Sequence, residues 1–188
     1  MDIILDRPGK ADWKKCARLY ARAFPRDERA PFFLLRRRAE QERGEMDIIR
    51  EGERFLGFLY RIRQGNLSYL FYFALEESAR GQGIGSKALS LLRQPGQRLL
   101  LAREALDPQA ENTRQRVRRR EFYLKNGFLD LPWGIREAGV TYDAMGWGGE
   151  IAPKEYGALM ASWAGPVLSK LIPMQGFEQE RNTDQSCR

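Results

Sequence analysis

Hydrophobic residues near the start of the chain recur at helical spacing. The positions i, i+3, i+4, i+7 and i+11 are held by Trp13, Cys16, Ala17, Tyr20 and Phe24. This spacing predicts the buried face of a helix that begins after an N-cap at Asp12 and ends before Pro25. A short strand over residues 2–5 precedes it, and a second helix is predicted from Pro31 to about Arg43.

Strand patterns follow these helices. Residues 46–50 and 54–63 flank the turn residues Glu51-Gly52-Glu53, which predicts a β-hairpin. Residues 67–75 read LSYLFYFAL, a run that is rich in aromatic residues and almost wholly apolar. Such a run is typical of a central strand that is buried on both faces.

The second half of the chain continues with alternating helices and strands. A helix follows glycines 81, 83 and 85, and residues 98–102 form a short apolar strand. Asp107 and Pro108 suit the N-cap and first position of a long helix that ends at Asn126-Gly127. Two closing strands are predicted over residues 128–136 and 140–147. The predicted C-terminal helix bends at Gly165-Pro166 and resumes to about Leu171.

These elements predict an α/β (α+β) fold, in which helices flank a mixed, mostly antiparallel sheet. No internal repeat or low-complexity linker interrupts the chain, so we expect one domain over residues 1–174. Residues 175–188 are polar and are predicted to be a disordered tail. Trp133, Trp147 and Trp163 either lie in the core or cover a homodimer interface, and the pattern leaves both open.

The composition excludes several kinds of catalytic site. The 188 residues include no His and only two cysteines, Cys16 and Cys187. Without His, neither a Ser-His-Asp nor a Cys-His nucleophile pair can form. Two cysteines make neither a disulfide scaffold nor a Cys-based zinc site. We therefore expect no metal, and chemistry that depends on carboxylates, tyrosine, lysine, backbone amides or a cofactor.

The charge balance favours an anionic partner. The chain carries 32 basic and 25 acidic residues, a formal net charge of +7, which suits nucleic acid, an anionic membrane or a phosphorylated cofactor. No apolar run reaches the ~18 residues of a membrane-spanning helix. The N-terminus lacks the basic region and apolar stretch of a secretory signal. We therefore expect a cytoplasmic protein that does not engage a membrane.

Residues 74–86 contain the most informative motif. They read ALEESARGQGIGS, so an apolar strand, a short acidic loop and a glycine-rich turn lead into a helix. Glycines let backbone amides approach a ligand, and the first turn of a helix offers unpaired N–H groups and a positive dipole end. This arrangement favours a diphosphate site. The spacing fits neither a Walker A loop nor a dinucleotide fingerprint. A glycine-rich turn that only starts a helix is the alternative.

A second informative motif is the segment FYLKNGF at residues 122–128. Together, the two segments resemble the GNAT superfamily of acyl-CoA-dependent N-acyltransferases. The segment AFPRDERAPF at residues 23–32 resembles a stretch of uncharacterised bacterial-type members. In that family, an Arg/Gln-x-x-Gly-x-Gly/Ala motif follows the fourth strand, and Arg80, Gly83 and Gly85 occupy it here. The family's helix-to-strand ending is matched by Phe122, Tyr123, Gly127 and Phe128.

The resemblance implies acetyl-CoA as an acyl-donor cosubstrate. The residues implied to bind CoA are Phe73, Ala74, Leu75, Arg80, Gly81, Gln82, Gly83, Ile84, Gly85 and Ser86, with Asn112 as a candidate substitute for an Asn that the family places on the next helix. Amides around residues 82–86 would hold the pyrophosphate, and backbone groups of Phe73 and Leu75 would pair with pantetheine. Tyr123 would protonate the leaving thiolate as a general acid, or it is a packing aromatic at a helix end.

The sequence departs from the family at the general base. The family often places a carboxylate on the fourth strand, where this chain has Tyr69. The candidate bases are Glu104 after the fifth strand, Glu76 or Glu77 in the loop, and Glu28 between the first two helices. Glu28 is also a candidate for contacting a cationic acceptor. Each is alternatively a solvated or ion-paired surface group, and a water relay would need none of them.

The resemblance implies an acetyl-CoA-dependent N-acetyltransferase. The acceptor would be a primary amine of a small molecule or peptide, and it would attack the thioester directly in a ternary complex. The alternative is a non-catalytic module that binds CoA, or nucleic acid through the arginines of residues 114–120. No recognised nucleic-acid-binding motif is present, so nucleic acid is the less favoured partner.

Overall fold

A computed structural model of the chain describes residues 2–26, 29–137, 139–171 and 174–178. The strands are β1 (Ile4–Asp6), β2 (Glu45–Glu51), β3 (Arg54–Gln64), β4 (Leu67–Leu75), β5 (Arg98–Glu104), β6 (Leu129–Glu137), β7 (Val140–Trp147) and β8 (Met174–Glu178). The helices are α1 (Lys10–Ala23), α2 (Phe32–Glu40), α3 (Ile84–Leu92), α4 (Thr113–Lys125) and α5 (Pro153–Leu171). The predicted α/β class is confirmed.

The strands form one eight-stranded sheet in the order β1-β2-β3-β4-β5-β7-β6-β8. Neighbouring strands are antiparallel except for β4 and β5, which run parallel. The chain crosses from β4 to β5 through α3, because parallel neighbours need a long connection. The one parallel pair therefore lies in the middle of the sheet.

Helices cover both faces of this sheet. On one face, buried residues of α1, α2 and α5 join the strands in a single core cluster that includes Leu19, Leu35 and Trp163. On the other face, α3 and α4 contribute Leu89 and Tyr123 to a second cluster. We call these the α5 face and the α4 face. Trp133 and Trp163 are both buried in the α5-face core.

A β-bulge lies in β4. Tyr60 and Arg61 are consecutive in β3, but they pair with Tyr72 and Leu70, so Phe71 is an extra residue in β4. A bulge bends its strand and interrupts the alternation of side chains. Phe71 and Tyr72 consequently both pack against the α5-face core.

The predicted helix boundaries are wrong at two N-termini. Helix α1 begins at Lys10, and Asp12 instead accepts a hydrogen bond from the Gly9 N–H at 3.0 Å, as an acid in the first turn of a helix can. Helix α4 begins at Thr113 rather than at Pro108. Asp107 Oδ1 accepts from the Gln109 N–H at 2.9 Å, so this residue stabilises a local turn before the helix.

The C-terminal region also differs in part from expectation. Helix α5 spans the predicted bend, with Gly165 in a non-helical conformation at φ 70°. Residues 175–178, predicted to belong to a disordered tail, instead lie in β8, which pairs with β6. An edge strand needs backbone pairing on one side only, so polar residues can occupy it. Residues 179–188 lie outside the described part of the chain. Among the residues described, no helix is both long and apolar enough to cross a bilayer.

Candidate functional site

Strands β4 and β5 separate towards their C-terminal ends. Their pairing runs from Leu67↔Arg98 to Leu70↔Leu101, whereas β4 continues to Leu75 and β5 to Glu104. Residues 71–75 and 102–104 therefore border an opening in the sheet, which we call the β4–β5 gap. Its closed end, or apex, is the Leu70–Leu101 pair. The bulge at Phe71 lies where this separation begins, and because a bulge bends its strand, it provides a local cause for the separation.

The backbone of β4 offers hydrogen-bonding groups to this gap. The Glu76 N–H donates to the Leu56 carbonyl of β3 at 2.8 Å. Backbone groups of successive strand residues point to opposite sides. Ala74 therefore faces β3 in the same way as Glu76, whereas Phe73 and Leu75 face the gap. The predicted pair of backbone positions thus has the required direction.

A glycine-rich turn connects the end of β4 to α3. Gly81 and Gly83 both have φ of +75°, a left-handed conformation that favours glycine. The first bond into the helix is from the Lys87 N–H to the Gly83 carbonyl at 3.1 Å. The N–H groups of residues 83–86 consequently have no acceptor within α3. A Cβ atom at position 81 or 83 would meet no heavy atom within 4 Å, so both glycines border open space.

Gly85 has a different role from the other two glycines. A Cβ atom at this position would lie 3.0 Å from Phe122 Cζ and 3.5 Å from Leu75 Cδ1. The absence of a side chain therefore lets the first turn of α3 approach both α4 and the end of β4. This contact places the glycine-rich turn beside the helix that carries Tyr123.

Side chains around the turn stabilise its shape. Arg80 Nε donates to the Leu75 carbonyl at 3.2 Å, and Gln82 Nε2 donates to the Ser78 carbonyl at 2.6 Å. Arg80 thus lies beside the C-terminal end of β4. Its hydrogen bond occupies the Leu75 carbonyl, which sequence reasoning had assigned to pantetheine.

Tyr123 lies on the α4 face, near the C-terminal end of α4. Its side chain is buried, and its ring packs at 5.2 Å from Phe122 and 5.7 Å from Phe128. It shares a cluster with Leu70 and Leu101, the residues of the apex. Burial raises the pKa of Tyr123 above its ordinary value of 10.0, and the nearby charge of Arg119 offsets only part of this effect. The phenol therefore keeps its proton at neutral pH.

Glu104 and Asn112 belong to a network that joins β5 to α4. Glu104 Oε1 accepts from Asn112 Nδ2 at 2.8 Å, and Oε2 pairs with Arg119. Arg116 donates from Nε to Asn112 Oδ1 at 2.7 Å. The lone pairs of Glu104 and the amide of Asn112 are thus engaged by protein groups. These contacts favour a role in positioning α4 over the predicted roles in catalysis and CoA binding.

A second network holds the other end of α4 and is more deeply buried. Arg103 of β5 is only 5% exposed, and its Nη2 contacts Asp130 at 3.1 Å and Asp143 at 2.9 Å. Arg120 of α4 binds the other oxygen of Asp130 at 2.5 Å. Three strands and α4 are joined in this way. Several arginines of the basic helix face therefore serve internal ion pairs.

Tyr69 lies across the sheet from Tyr123, on the α5 face. It immediately precedes Leu70 of the apex, and its hydroxyl donates to Glu137 Oε1 at 2.6 Å. Tyr156 of α5 donates to the same oxygen at 2.7 Å. Sequence reasoning missed Glu137, because nothing in its local pattern indicates that β6 brings it to β4. The signal that the sequence offers is indirect: Tyr69 stands where the family often has a carboxylate, so a protein base must come from elsewhere.

The remaining acidic candidates have simpler positions. Glu76 is bound by Arg22 through both carboxylate oxygens at 2.9 Å. Glu77 begins the short 3-10 turn before Arg80. Glu28 lies outside the described residues.

Cys16 is predicted to be unreactive in the folded protein. It is fully buried, and burial raises its thiol pKa to about 12, so the nucleophilic thiolate is scarce at pH 8. We expect that a Cys187→Ser variant reacts with an aromatic disulfide reagent only after denaturant is added. Rapid release of the coloured thiol from the native variant would contradict this prediction.

Comparisons with known proteins are consistent with this geometry. The model of the acetyltransferase (GNAT) family matches residues 13–128. No curated protein sequence gives a significant match. A solved structure described as a GNAT-family acetyltransferase, from Bacteroides thetaiotaomicron, aligns with a TM-score of 0.67 at 20% identity, over 89% of this chain and 98% of that one.

Two solved structures of acetyltransferases with stated acceptors are also similar in fold. The ribosomal-protein-S18-alanine N-acetyltransferase from Escherichia coli has a TM-score of 0.57 at 17% identity, over 80% of this chain and 96% of that one. An aminoglycoside 6'-N-acetyltransferase complexed with coenzyme A has a TM-score of 0.55 at 18% identity, over 78% and 96% of the two chains.

The family match covers more than half of the chain. It includes the β4–β5 gap, the glycine-rich turn and Tyr123, and the structural neighbours share the surrounding sheet. The chain therefore belongs to the GNAT family of acetyltransferases.

Proposed function

We propose that this protein is an N-acetyltransferase that moves the acetyl group of acetyl-CoA to a primary amine in a ternary complex. The observation that carries the proposal is the β4–β5 gap, which opens beside the N-terminus of α3 and has Tyr123 at its apex cluster. One end of this arrangement suits a diphosphate, the middle suits an extended amide chain, and the apex offers a proton donor.

The donor side fits acetyl-CoA in its polar groups. N–H groups of residues 83–86 are unused within α3 and coincide with the positive end of its dipole. The backbone of Phe73 faces the gap, where the amides of pantetheine can pair with it as an added strand would. The Leu75 carbonyl can join this pairing once Arg80 releases it. The Arg80 guanidinium is then available to a phosphate.

The chemistry at the apex requires one proton to reach sulfur. The amine nitrogen forms a bond to the carbonyl carbon, and the carbon–sulfur bond then breaks. Tyr123 donates its phenolic proton to the departing sulfur, so that CoA leaves as a thiol. The raised pKa of Tyr123 keeps this proton available throughout the neutral range.

Direct attack is favoured over a covalent acetyl-enzyme. The chain contains no His to activate a nucleophile, and Cys16 is buried with a thiol pKa raised to about 12. Direct transfer of the acetyl group from the thioester to the amine therefore needs fewer catalytic groups than a route through an acetyl-enzyme. This preference predicts that no acetylated protein accumulates when acetyl-CoA is supplied without an amine.

A Gly83→Glu variant tests the donor site. The new side chain introduces a carboxylate beside the free amides of α3, where a diphosphate would bind. We expect acetyl-CoA affinity, measured by calorimetry, to fall by at least about tenfold. Undiminished affinity in this variant would contradict the assignment, and no binding to the wild type would refute the proposed function.

Gly96→Glu is the matched control. Gly96 has φ of +78° against +75° for Gly83, and a Cβ atom at either position meets nothing within 4 Å. The two substitutions therefore add the same charge and similar backbone strain, but Gly96 lies at the other end of α3. We expect the control to bind acetyl-CoA as the wild type does.

The acceptor is then identified from a panel of amines. An alanine-terminated peptide and an aminoglycoside represent the acceptors of the two structural neighbours named above. A polyamine and an aromatic ethylamine extend the panel to other primary amines. Release of free CoA thiol that depends on one amine, together with the acetylated product by mass, would establish the acceptor class.

A further inference from the structure

The apex of the β4–β5 gap is flanked by a tyrosine on each face of the sheet. Leu70 and Leu101 form the last pair of the two strands and share a cluster with Tyr123 on the α4 face. Tyr69 is the residue next to Leu70, and it packs on the α5 face. A group that enters the gap as far as the apex therefore lies between the face that carries Tyr123 and the face that carries Tyr69.

The two tyrosines differ in their hydrogen-bonding partners. Within the described part of the chain, no protein group bonds the Tyr123 hydroxyl, which leaves its proton available to a ligand. The Tyr69 hydroxyl donates to Glu137 Oε1 at 2.6 Å, and Tyr156 donates to the same atom at 2.7 Å. One tyrosine is thus suited to give a proton, and the other is joined to a group that can accept one.

We propose that Glu137 is the proton acceptor for the attacking amine and that it acts through Tyr69. This assignment rests on the proposed acetyltransferase function. In place of the carboxylate that the family often has on β4, it supplies a carboxylate that β6 brings to the Tyr69 hydroxyl from three strands away. Glu137 is a positioning residue in this scheme, since Tyr69 is the group that contacts the amine.

A single turnover returns both tyrosines and Glu137 to their starting protonation states. As the amine nitrogen bonds to the acetyl carbon, its proton moves to the Tyr69 oxygen, and the Tyr69 proton moves to Glu137 Oε1. The carbon–sulfur bond breaks, and sulfur takes the proton of Tyr123. Glu137 then loses its proton to solvent and Tyr123 regains one, so the protein returns to its starting state.

The environment explains why Tyr69 relays a proton rather than losing it. Tyr69 is 1% exposed, and burial, followed by the charge of Glu137, raises its pKa well above the ordinary value. The titratable groups that act on the two tyrosines include Tyr72 of β4 and Tyr142 of β7, which are phenols like Tyr69 and Tyr156 themselves. A carboxylate is a stronger acid than a phenol by several pKa units, so Glu137 is the ionised member of the Tyr69–Glu137–Tyr156 group at neutral pH.

A Glu137→Gln variant tests the proposal. The amide oxygen can still accept from both tyrosines, but it cannot take up a proton. With hydroxylamine as a small acceptor, we expect kcat to fall about tenfold or more, with unchanged acetyl-CoA affinity. Hydroxylamine also cleaves the thioester without enzyme, so the enzyme-free rate is subtracted at each pH. The ionisation of hydroxylamine is common to both proteins and cancels in the ratio of wild-type to variant kcat. This ratio should fall as pH drops through the ionisation of Glu137, because only the wild type has the acid limb that Glu137 causes.

Tyr156→Phe separates this role from a structural one. The change removes one donor from the carboxylate but keeps both Glu137 and Tyr69. We expect the acid limb to persist and to move to higher pH, because the charged form of Glu137 loses a stabilising hydrogen bond. Glu137→Asp should restore part of the activity that glutamine removes.

The possible outcomes are distinct. The inference is overturned if the kcat of Glu137→Gln falls at acid pH as the wild-type kcat does. It is also overturned if Tyr156→Phe loses the acid limb that the wild type shows. A wild type that binds acetyl-CoA but releases no thiol with hydroxylamine would overturn the relay and leave the donor site standing. A wild type that does not bind acetyl-CoA would instead refute the proposed function.

Discussion

Replacement of Tyr123 by Phe is expected to lower kcat by about 100-fold or more, the usual contribution of a positioned general acid. The substitution deletes only the hydroxyl. The ring contacts with Phe122 and Phe128, which hold the end of α4 in place, are retained. Acetyl-CoA affinity should therefore change little, because the loss affects the transition state and not the bound donor.

The pH dependence follows from the direction of the Tyr123 shift. A general acid works in its protonated form, so activity that depends on it is lost as pH rises through its pKa. Burial has moved that pKa above 10.0. We therefore expect no loss of wild-type kcat that is due to Tyr123 between neutral pH and about pH 10. An alkaline limb that begins near pH 8 and disappears in Tyr123→Phe would contradict the raised pKa.

Steady-state release of CoA thiol measures this prediction. Tyr60→Phe is a suitable control, because it also deletes a buried tyrosine hydroxyl, one that bonds the Leu35 carbonyl and Trp163 on the α5 face. The control should lose stability but keep kcat. Equal kcat in Tyr123→Phe and wild type would remove Tyr123 from the mechanism.

The sequence predicts the fold better than it predicts the site. The almost wholly apolar run predicts β4 at residues 67–75, and the glycines that recur before a helix predict the glycine-rich turn. The structure has β4 over these residues, and Gly81 and Gly83 are left-handed. These features depend on local chemistry. The bulge at Phe71 depends on pairing with β3, and no local pattern marks it.

The roles of charged residues are harder to predict, because they too depend on long-range contacts. Glu104 and Asn112 have the right chemistry for catalysis and CoA binding, but the structure shows them bound to α4 arginines and to each other. Glu137 is not predicted from the sequence, because the strand order of the sheet, and not any local pattern, brings β6 near Tyr69. Long-range partners decide what a carboxylate can do, and a single sequence does not reveal them.

Arg103→Met is expected to destabilise the folded protein by about 3 kcal/mol or more, as the removal of one partner from a buried ion-pair network does. Methionine keeps much of the volume but removes the positive charge shared by Asp130 and Asp143. Arg103 is 5% exposed, so water cannot replace its hydrogen bonds. Urea unfolding followed by tryptophan fluorescence measures the difference.

Acid should reduce this difference. Burial by itself would raise the pKa of Asp130, but hydrogen bonds from Arg120 and Arg103 outweigh it, and the net pKa lies below 3.8. A depressed pKa stabilises the native state above the unfolded pKa, and this stabilisation is lost as pH falls through the folded value. The deficit of Arg103→Met should therefore be largest near neutral pH and shrink below about pH 4.

Arg118→Met supplies the comparison, since Arg118 is exposed on α4 and its replacement should change stability by less than about 0.5 kcal/mol.

The Arg103 network also reaches the site, because Arg120 joins α4 to Asp130 and α4 carries Tyr123. We therefore expect Arg103→Met to lower kcat as well, at temperatures where the variant remains folded. If stability falls while kcat is unchanged, the network holds the sheet together without positioning Tyr123; if neither falls, the ion pairs contribute nothing that folding or catalysis requires.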